Sequence, residues 1–208
     1  MMTISLSDAG KRFNRDWIFR HLTYNFEAGN SYAITGPNGS GKSTLLQVLS
    51  GAMQVSEGNM QLAVGSRQLT IEEVYRHVSI CAPYLELVEE MTLTEFLSFH
   101  QNFKPLISGI SITAIISELT LENATHKQIR NFSSGMKQRV KLAQCIFSDT
   151  PVVLLDEPCT NLDVQGIDLY HSLVEKYCKQ RTVIVSSNDK VEYDFCKEVI
   201  SITNFKNT

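Results

Sequence analysis

Two short stretches of this 208-residue chain carry residue types suited to phosphate chemistry. The first is GPNGSGKST at residues 36–44, where Gly36, Gly41, Lys42 and Ser43 fill the spacing G-x-x-x-x-G-K-[ST]. Glycines let backbone N–H groups close around phosphate oxygens. A helix opening after Gly41 aims its unpaired N–H groups and positive dipole end at the same anion. Lys42 has the reach for the β- and γ-phosphates of ATP, and the Ser43 hydroxyl is a ligand for Mg2+. Gly36, Pro37, Asn38, Gly39, Ser40, Gly41, Lys42, Ser43 and Thr44 are therefore the expected ATP-binding loop.

The second stretch is VVLLDEP, which puts Asp156 and Glu157 at the end of a fully apolar run. Open α/β sheets bind ligands at the carboxyl ends of their strands. Asp156 is read as a metal ligand, direct or through water. Glu157, one residue further out, is read as the catalytic base that polarises an attacking water, an effect typically worth about 10²–10⁴-fold. Lys42 joins it in the catalytic set.

The elements around these stretches must position them. TISLSDAGKRF reads as an edge strand, SYAIT as a short strand feeding the loop, and KSTLLQVLS as an apolar helix ending near Gly51. NMQLAV, HVSIC, PVVLLD, TVIVS and VISIT read as further strands, with Pro83 stopping the second of these. Thr92 with Glu95 three residues on has capping-box spacing for a helix. SITAIISELTL, SGMKQRVKLAQCIF and VQGIDLYHSLVEKYCKQ read as helices. Strands alternating with helices predict an α/β domain with a mainly parallel sheet. A helical subdomain with its signature helix, residues 84–148 approximately, is expected within a single domain spanning 1–208.

Composition bounds the rest. Hydrophobic residues make up 43%, enough for a packed core, and the net charge of −3 argues against a nucleic-acid reader. The five cysteines fall in no CxxC pair, which speaks for reduced thiols of a cytosolic protein rather than a zinc site or disulfide framework. No signal peptide is expected at the N-terminus, and no apolar run approaches the ~18 residues of a membrane span.

GPNGSGKST, FSSGMKQR, VVLLDEP and TNLD, in this order, resemble the nucleotide-binding domain of ATP-binding cassette (ABC) proteins. The resemblance covers essentially the whole chain. It implies a P-loop NTPase fold: a mainly parallel sheet, an antiparallel N-terminal β part and an inserted helical subdomain. It also implies that two such domains pair head to tail around ATP. Ser133 and Gly135 would face the γ-phosphate held by the opposite subunit, and Asp163 would lie in the loop that crosses the dimer interface. Phe13 stands where the family keeps an adenine-stacking ring, with Trp17 the nearby alternative.

The chain departs from the family pattern at three places. Ser134 and Met136 replace a Gly and a Gln of the signature. Ala82 or Pro83 stands where the family carries a Gln, with Tyr84 and Glu86 the next polar groups. Asn188 stands where the family has a switch His. An Asn donates and accepts hydrogen bonds but carries no charge. It is expected either to reach the γ-phosphate through its NH2, as a third member of the catalytic set with Glu157 and Lys42, or to link into a helix through Phe195, started by Asp189 and Glu192 with capping-box spacing.

The function implied is the ATP-binding subunit of a membrane transporter, peripheral on the cytoplasmic face, powering a separate transmembrane permease through Mg-ATP hydrolysis. The signature looks most like that of two-component bacterial exporters. Hydrolysis by the chain alone is expected to be slow. The alternatives are a soluble ABC ATPase of a non-transport assembly and a nucleotide-gated regulatory subunit with weak hydrolysis.

Overall fold

The computed structural model describes residues 2–206. Its internal contacts divide the chain into two compact units. The first runs to Ile80, then takes Pro151–Asp156 and everything from Gln180 onward; the second comprises Cys81–Thr150 and Glu157–Lys179.

The first unit holds two sheets. β1 (Met2–Phe13) pairs antiparallel with β2 (Asp16–Phe26) on one side. On its other side it pairs antiparallel with β4 (Glu57–Val64), which carries the short β5 (Arg67–Gln68). Met2, Ile4 and Leu6 alternate into the core as a strand of period two requires. β2 is an element the sequence reading did not name. Its buried residues, Phe19, Leu22 and Phe26, do not alternate evenly, because His21 has φ 55 and the β1–β2 register shifts along this stretch.

The second sheet has the order β6-β7-β8-β3-β9: β6 (Val78–Cys81), β7 (Val152–Asp156), β8 (Thr182–Ser186), β3 (Ser31–Thr35) and β9 (Glu198–Ser201). β3–β8, β3–β9 and β7–β8 are all parallel. β7 and β8 are buried at every position, as expected of inner strands of a parallel sheet. α1 (Lys42–Leu49) packs against β7 and β8, and Leu45, Leu46, Val48 and Leu49 sink into a core shared with Phe19, Phe26, Leu154 and Ile184. Each such side chain contributes about 1.5–3 kcal/mol by leaving water. A single turn, α2 (Ile71–Val74), follows β5.

The second unit is helical. α3 (Leu93–Gln101) opens with the anticipated capping box: Glu95 N–H donates to Thr92 Oγ1 at 3.3 Å, and Thr92 N–H donates to Glu95 Oε2 at 2.8 Å. α4 (Ile112–Glu118) is capped by Ser111. α5 (Ser134–Ile146) buries Gln138, Val140, Leu142, Ala143, Cys145 and Ile146. α6 (Val164–Tyr177) packs against α5.

Two expectations fail. β1, read as an edge strand, is an inner one, because β2 and β4 hydrogen-bond to it on both sides. Asp189 and Glu192 do not start a helix through Phe195. Residues 190–192 form a single 3-10 turn in which the Asp189 carboxylate accepts Val191 N–H at 3.0 Å. The bonds that follow run from residue i+3 to i: Glu192 N–H to Asp189 O, Tyr193 N–H to Lys190 O and Cys196 N–H to Tyr193 O. β9 already begins at Glu198, so the chain must return to the sheet before a helix can develop.

Candidate functional site

The parallel register sets the site. Ile34 of β3 and Asp156 of β7 both lie level with Ser186 of β8. The three strands therefore release Gly36, Glu157 and Ser187 at one edge of the sheet, where open α/β sheets bind ligands.

The loop from β3 to α1 is held in a shape only glycines permit at its two ends. Gly36 has φ 145, and a Cβ there would meet Ile202 Cγ2 and Ser40 Oγ, both at 2.8 Å. Gly41 has φ 105, and a Cβ there would lie 2.2 Å from Ile18 Cγ2. Ser40 N–H donates to Pro37 O at 3.0 Å, closing a turn, and Gly41 O accepts Leu45 N–H at 2.9 Å as the helix begins. No acidic residue stands in the first turn of α1, so its dipole end is free to attract an anion. Lys42 is buried and folds back along the loop, donating to Gly36 O at 2.7 Å and Pro37 O at 3.4 Å. Pro37, Asn38 and Gly39 are exposed, and Ser43 and Thr44 are half-buried in the first turn of α1.

Asp156 is 1% exposed, and its Oδ1 has no hydrogen-bond partner. Ser40 Oγ and Ser186 Oγ share that state. A buried polar atom without a partner costs about 1–3 kcal/mol. Three of them in this unit, on the phosphate loop and on two adjacent strand ends, mark a place built for a polar ligand. A buried carboxylate oxygen left bare fits a hard cation such as Mg2+. Glu157, half-buried, has φ 45, a left-handed conformation that costs a non-glycine residue about 1–3 kcal/mol. Its carbonyl accepts Thr160 N–H at 3.2 Å.

Asn188, exposed beyond β8, reaches the phosphate loop itself: its Oδ1 accepts Gly36 N–H at 3.1 Å and its Nδ2 donates to Asn38 Oδ1 at 3.3 Å. Phe13 ends β1 at the hairpin and is 46% exposed, with Lys11 Nζ 5.4 Å from its ring centre. Trp17 has two guanidinium groups near its ring, Arg20 at 4.5 Å and Arg12 at 5.4 Å from the centre. Arg20 is itself paired with Glu57. Phe13 is the more exposed of the two rings and has one cation over it where Trp17 has two. Two functional supports escaped the sequence reading: Ile18 over Gly41, and Ile202 under Gly36. Neither residue type signals chemistry, and Ile202 arrives from the far end of the chain.

The remaining candidates lie, like Glu157, in the second unit. Ser133 is the N-cap of α5, its Oγ accepting Met136 N–H at 3.2 Å. Gly135 allows Asn161 O to approach to 3.0 Å of where its Cβ would stand. Asp163 is the N-cap of α6: its Oδ1 accepts Gly166 N–H at 2.8 Å and lies 3.6 Å from Arg139 Nη2. Ser133, Gly135, Met136, Arg139, Asn161 and Asp163 line one cavity of about 450 Å³. Ala82 is buried and Pro83 exposed, its carbonyl accepting Lys141 Nζ at 2.8 Å; Tyr84 and Glu86 are exposed on the same loop.

A parallel sheet in which β3 runs through a glycine loop into a helix, one strand removed from the acidic end of β7, defines a P-loop nucleotide-binding protein. Residues 19–160 match the ABC transporter family, and the chain belongs to it as an ATP-binding protein. The ABC transporter ATP-binding protein YybJ of Bacillus subtilis (strain 168) is 30% identical over 188 residues, 90% of this chain and 86% of that protein. The cytochrome c biogenesis ATP-binding export protein CcmA of Rhizobium meliloti (strain 1021) is 30% identical over 89% of this chain and 90% of its own. Among solved structures, a putative ABC transporter ATP-binding protein from Pyrococcus furiosus superposes with a TM-score of 0.82 at 19% identity, covering 99% of this chain and all of that one. A dimeric ATP-binding cassette bound to ADP and Pi in a post-hydrolysis state also gives 0.82, at 20% identity and over 95% and 93% of the two chains. At such identities the likeness to solved structures is one of fold. That fold is the P-loop cassette with its parallel and antiparallel sheets.

Proposed function

We propose that this chain hydrolyses ATP in a head-to-tail dimer with a second ABC domain and so drives a separate transmembrane permease from the cytoplasmic face. The observation that carries this is the bare Oδ1 of buried Asp156 at the same sheet edge from which the phosphate loop leaves β3. Gly36–Thr44 would hold the triphosphate, and Lys42, already lodged in the loop, would trade a carbonyl for a phosphate oxygen. Ser43 and Asp156 would hold Mg2+, which when bound neutralises charge on the phosphate oxygens. Glu157 takes a proton from water as its oxygen bonds to the γ-phosphorus; the bond to the β–γ bridging oxygen breaks, leaving ADP and inorganic phosphate. Phe13 would stack on adenine. Ser133 and Gly135, at the N-terminus of α5, would face the γ-phosphate on the second domain, with Asp163 beside them. Among the described residues no helix is long and apolar enough to cross a membrane, which fits a permease supplied by another protein.

Binding of Mg-ATP and phosphate release by the purified chain test this reading. Binding is expected in the wild type and lost in Asp156→Ala when Mg2+ is required; equal binding with and without Mg2+ would refute the metal assignment. The chain alone is expected to turn over well below the ~10 s⁻¹ of a typical enzyme, because neither Ala82 nor Pro83 offers a polar side chain and Asn188 is held in the loop.

A further inference from the structure

We infer that Asn188 is a positioning residue of the phosphate loop, holding Gly36 and Asn38 in place and so setting affinity for the part common to ATP and ADP. The inference rests on the loop being the nucleotide site. Gly36 N–H can only donate, so the Asn188 atom facing it must be the oxygen; this fixes the amide orientation. The nitrogen then meets the Asn38 side-chain oxygen, a complementary partner. One planar amide thus bridges the first and third residues of the loop.

The anchor beneath it is rigid. Ser187 N–H donates to Ile34 O at 3.1 Å, tying the residue before Asn188 to β3, and Ser187 Oγ accepts Asp189 N–H at 2.9 Å just after it. Gly36 needs such a hold. Its φ of 145 is a conformation that glycine enters and leaves freely, so the loop entry is not fixed by its own backbone. Ile202 packs it from one side, and Asn188 pins its N–H. Because Asn188 uses its acceptor and one donor on the loop, its contribution falls on the whole loop rather than on the terminal phosphate.

The experiment measures dissociation constants for Mg-ATP and Mg-ADP on the wild type, Asn188→Ala and Asn38→Ala, read from Trp17, the single tryptophan, or by calorimetry. Asn188→Ala is expected to weaken ATP and ADP by the same factor, about five- to tenfold for two lost hydrogen bonds. The loss should appear in KM more than in kcat. Asn38→Ala is expected to give a smaller loss and to add little to Asn188→Ala, as residues sharing one contact do. Weakening of ATP with ADP unchanged would make Asn188 a γ-phosphate contact and overturn the inference; unchanged affinity for both would overturn it equally. Asn188 and Asn38 are exposed, so folding should survive, and if Asn188→Ala does not fold, Asn38→Ala reads the same contact from the other side. A wild type that binds neither nucleotide refutes the site itself; wild-type binding with unequal losses refutes only the positioning role.

Discussion

The two units treat their polar groups in opposite ways. In the first, Asp156 Oδ1, Ser40 Oγ and Ser186 Oγ are buried and bare, and both ends of the phosphate loop sit at positive φ. In the second, the residues of interest are already satisfied at home. Ser133 caps α5, Asp163 caps α6, and buried Gln138 donates to Pro158 O at 2.7 Å. Arg139 donates to Thr120 Oγ1 at 2.6 Å. A site that grips a ligand alone must keep unpaired atoms and tolerate their cost. A surface that adds a few N–H groups to someone else's ligand can be a well-capped helix end. On the proposed reading, the first unit gives up stability for binding and the second presents capped helix ends.

The largest test of this contrast is Glu157→Gln. It removes the base and leaves every group of the phosphate loop, so phosphate release is expected to fall about 10²–10⁴-fold with ATP affinity retained. An ATP-held dimer should then persist in size analysis. A variant that stays monomeric at saturating Mg-ATP would count against the head-to-tail arrangement and with it against a presenting role for the second unit.

Gly41→Ala comes next. The new methyl group would clash with Ile18 Cγ2 and sit at φ 105, where L side chains are strained. A loss of about 2–4 kcal/mol is expected from the clash and the backbone together, measured by denaturant titration, and nucleotide binding should fail even where the chain folds. Asp163→Ala in the second unit removes a helix cap and a charge beside Arg139, for about 1 kcal/mol. Nucleotide affinity of the isolated chain should not change. If it does, the second unit is doing more than presenting a face.

What could be read beforehand follows the same division. Gly36–Ser43, Asp156 and Glu157 were legible because their chemistry lies in local spacing. The Thr92–Glu95 box was legible for the same reason. β2 was not, since His21 at φ 55 breaks the alternation by which a strand is recognised. The supports at Ile18 and Ile202 depend on contacts between distant segments and have no pattern of their own. Asp189 and Glu192 carried a true capping spacing, yet the nearness of β9 left room for one turn only. Asn188 was found by position, but its partners were unforeseeable, because an Asn aimed at a phosphate and an Asn aimed at a glycine N–H look the same in sequence.

The smallest effect is a pH dependence confined to the second unit. His100 lies on α3, and burial, with Lys104 nearby, pushes its pKa down from 6.5 to about 4. Hydrogen bonding shows how it resists a proton. Ser148 Oγ donates to Gln144 O at 2.6 Å, so it must accept from His100 Nε2 at 2.9 Å, which therefore carries the hydrogen. Nδ1 then accepts from Gln144 Nε2 at 3.3 Å, and a proton there would face the amide's own hydrogen. The folded pKa lies below the unfolded one, so the unfolded chain takes up the proton first. Stability is therefore full above about pH 6.5 and falls as pH drops toward 4. Between pH 7.5 and 6 the loss should stay under about 1 kcal/mol, given the partial exposure of the ring. Urea titrations at the two pH values measure it, and His100→Gln should flatten the slope. The slope should leave the phosphate loop alone, so Mg-ATP affinity measured across the same window is expected to show no step from His100; a matching step would mean that the second unit's packing reaches the nucleotide after all.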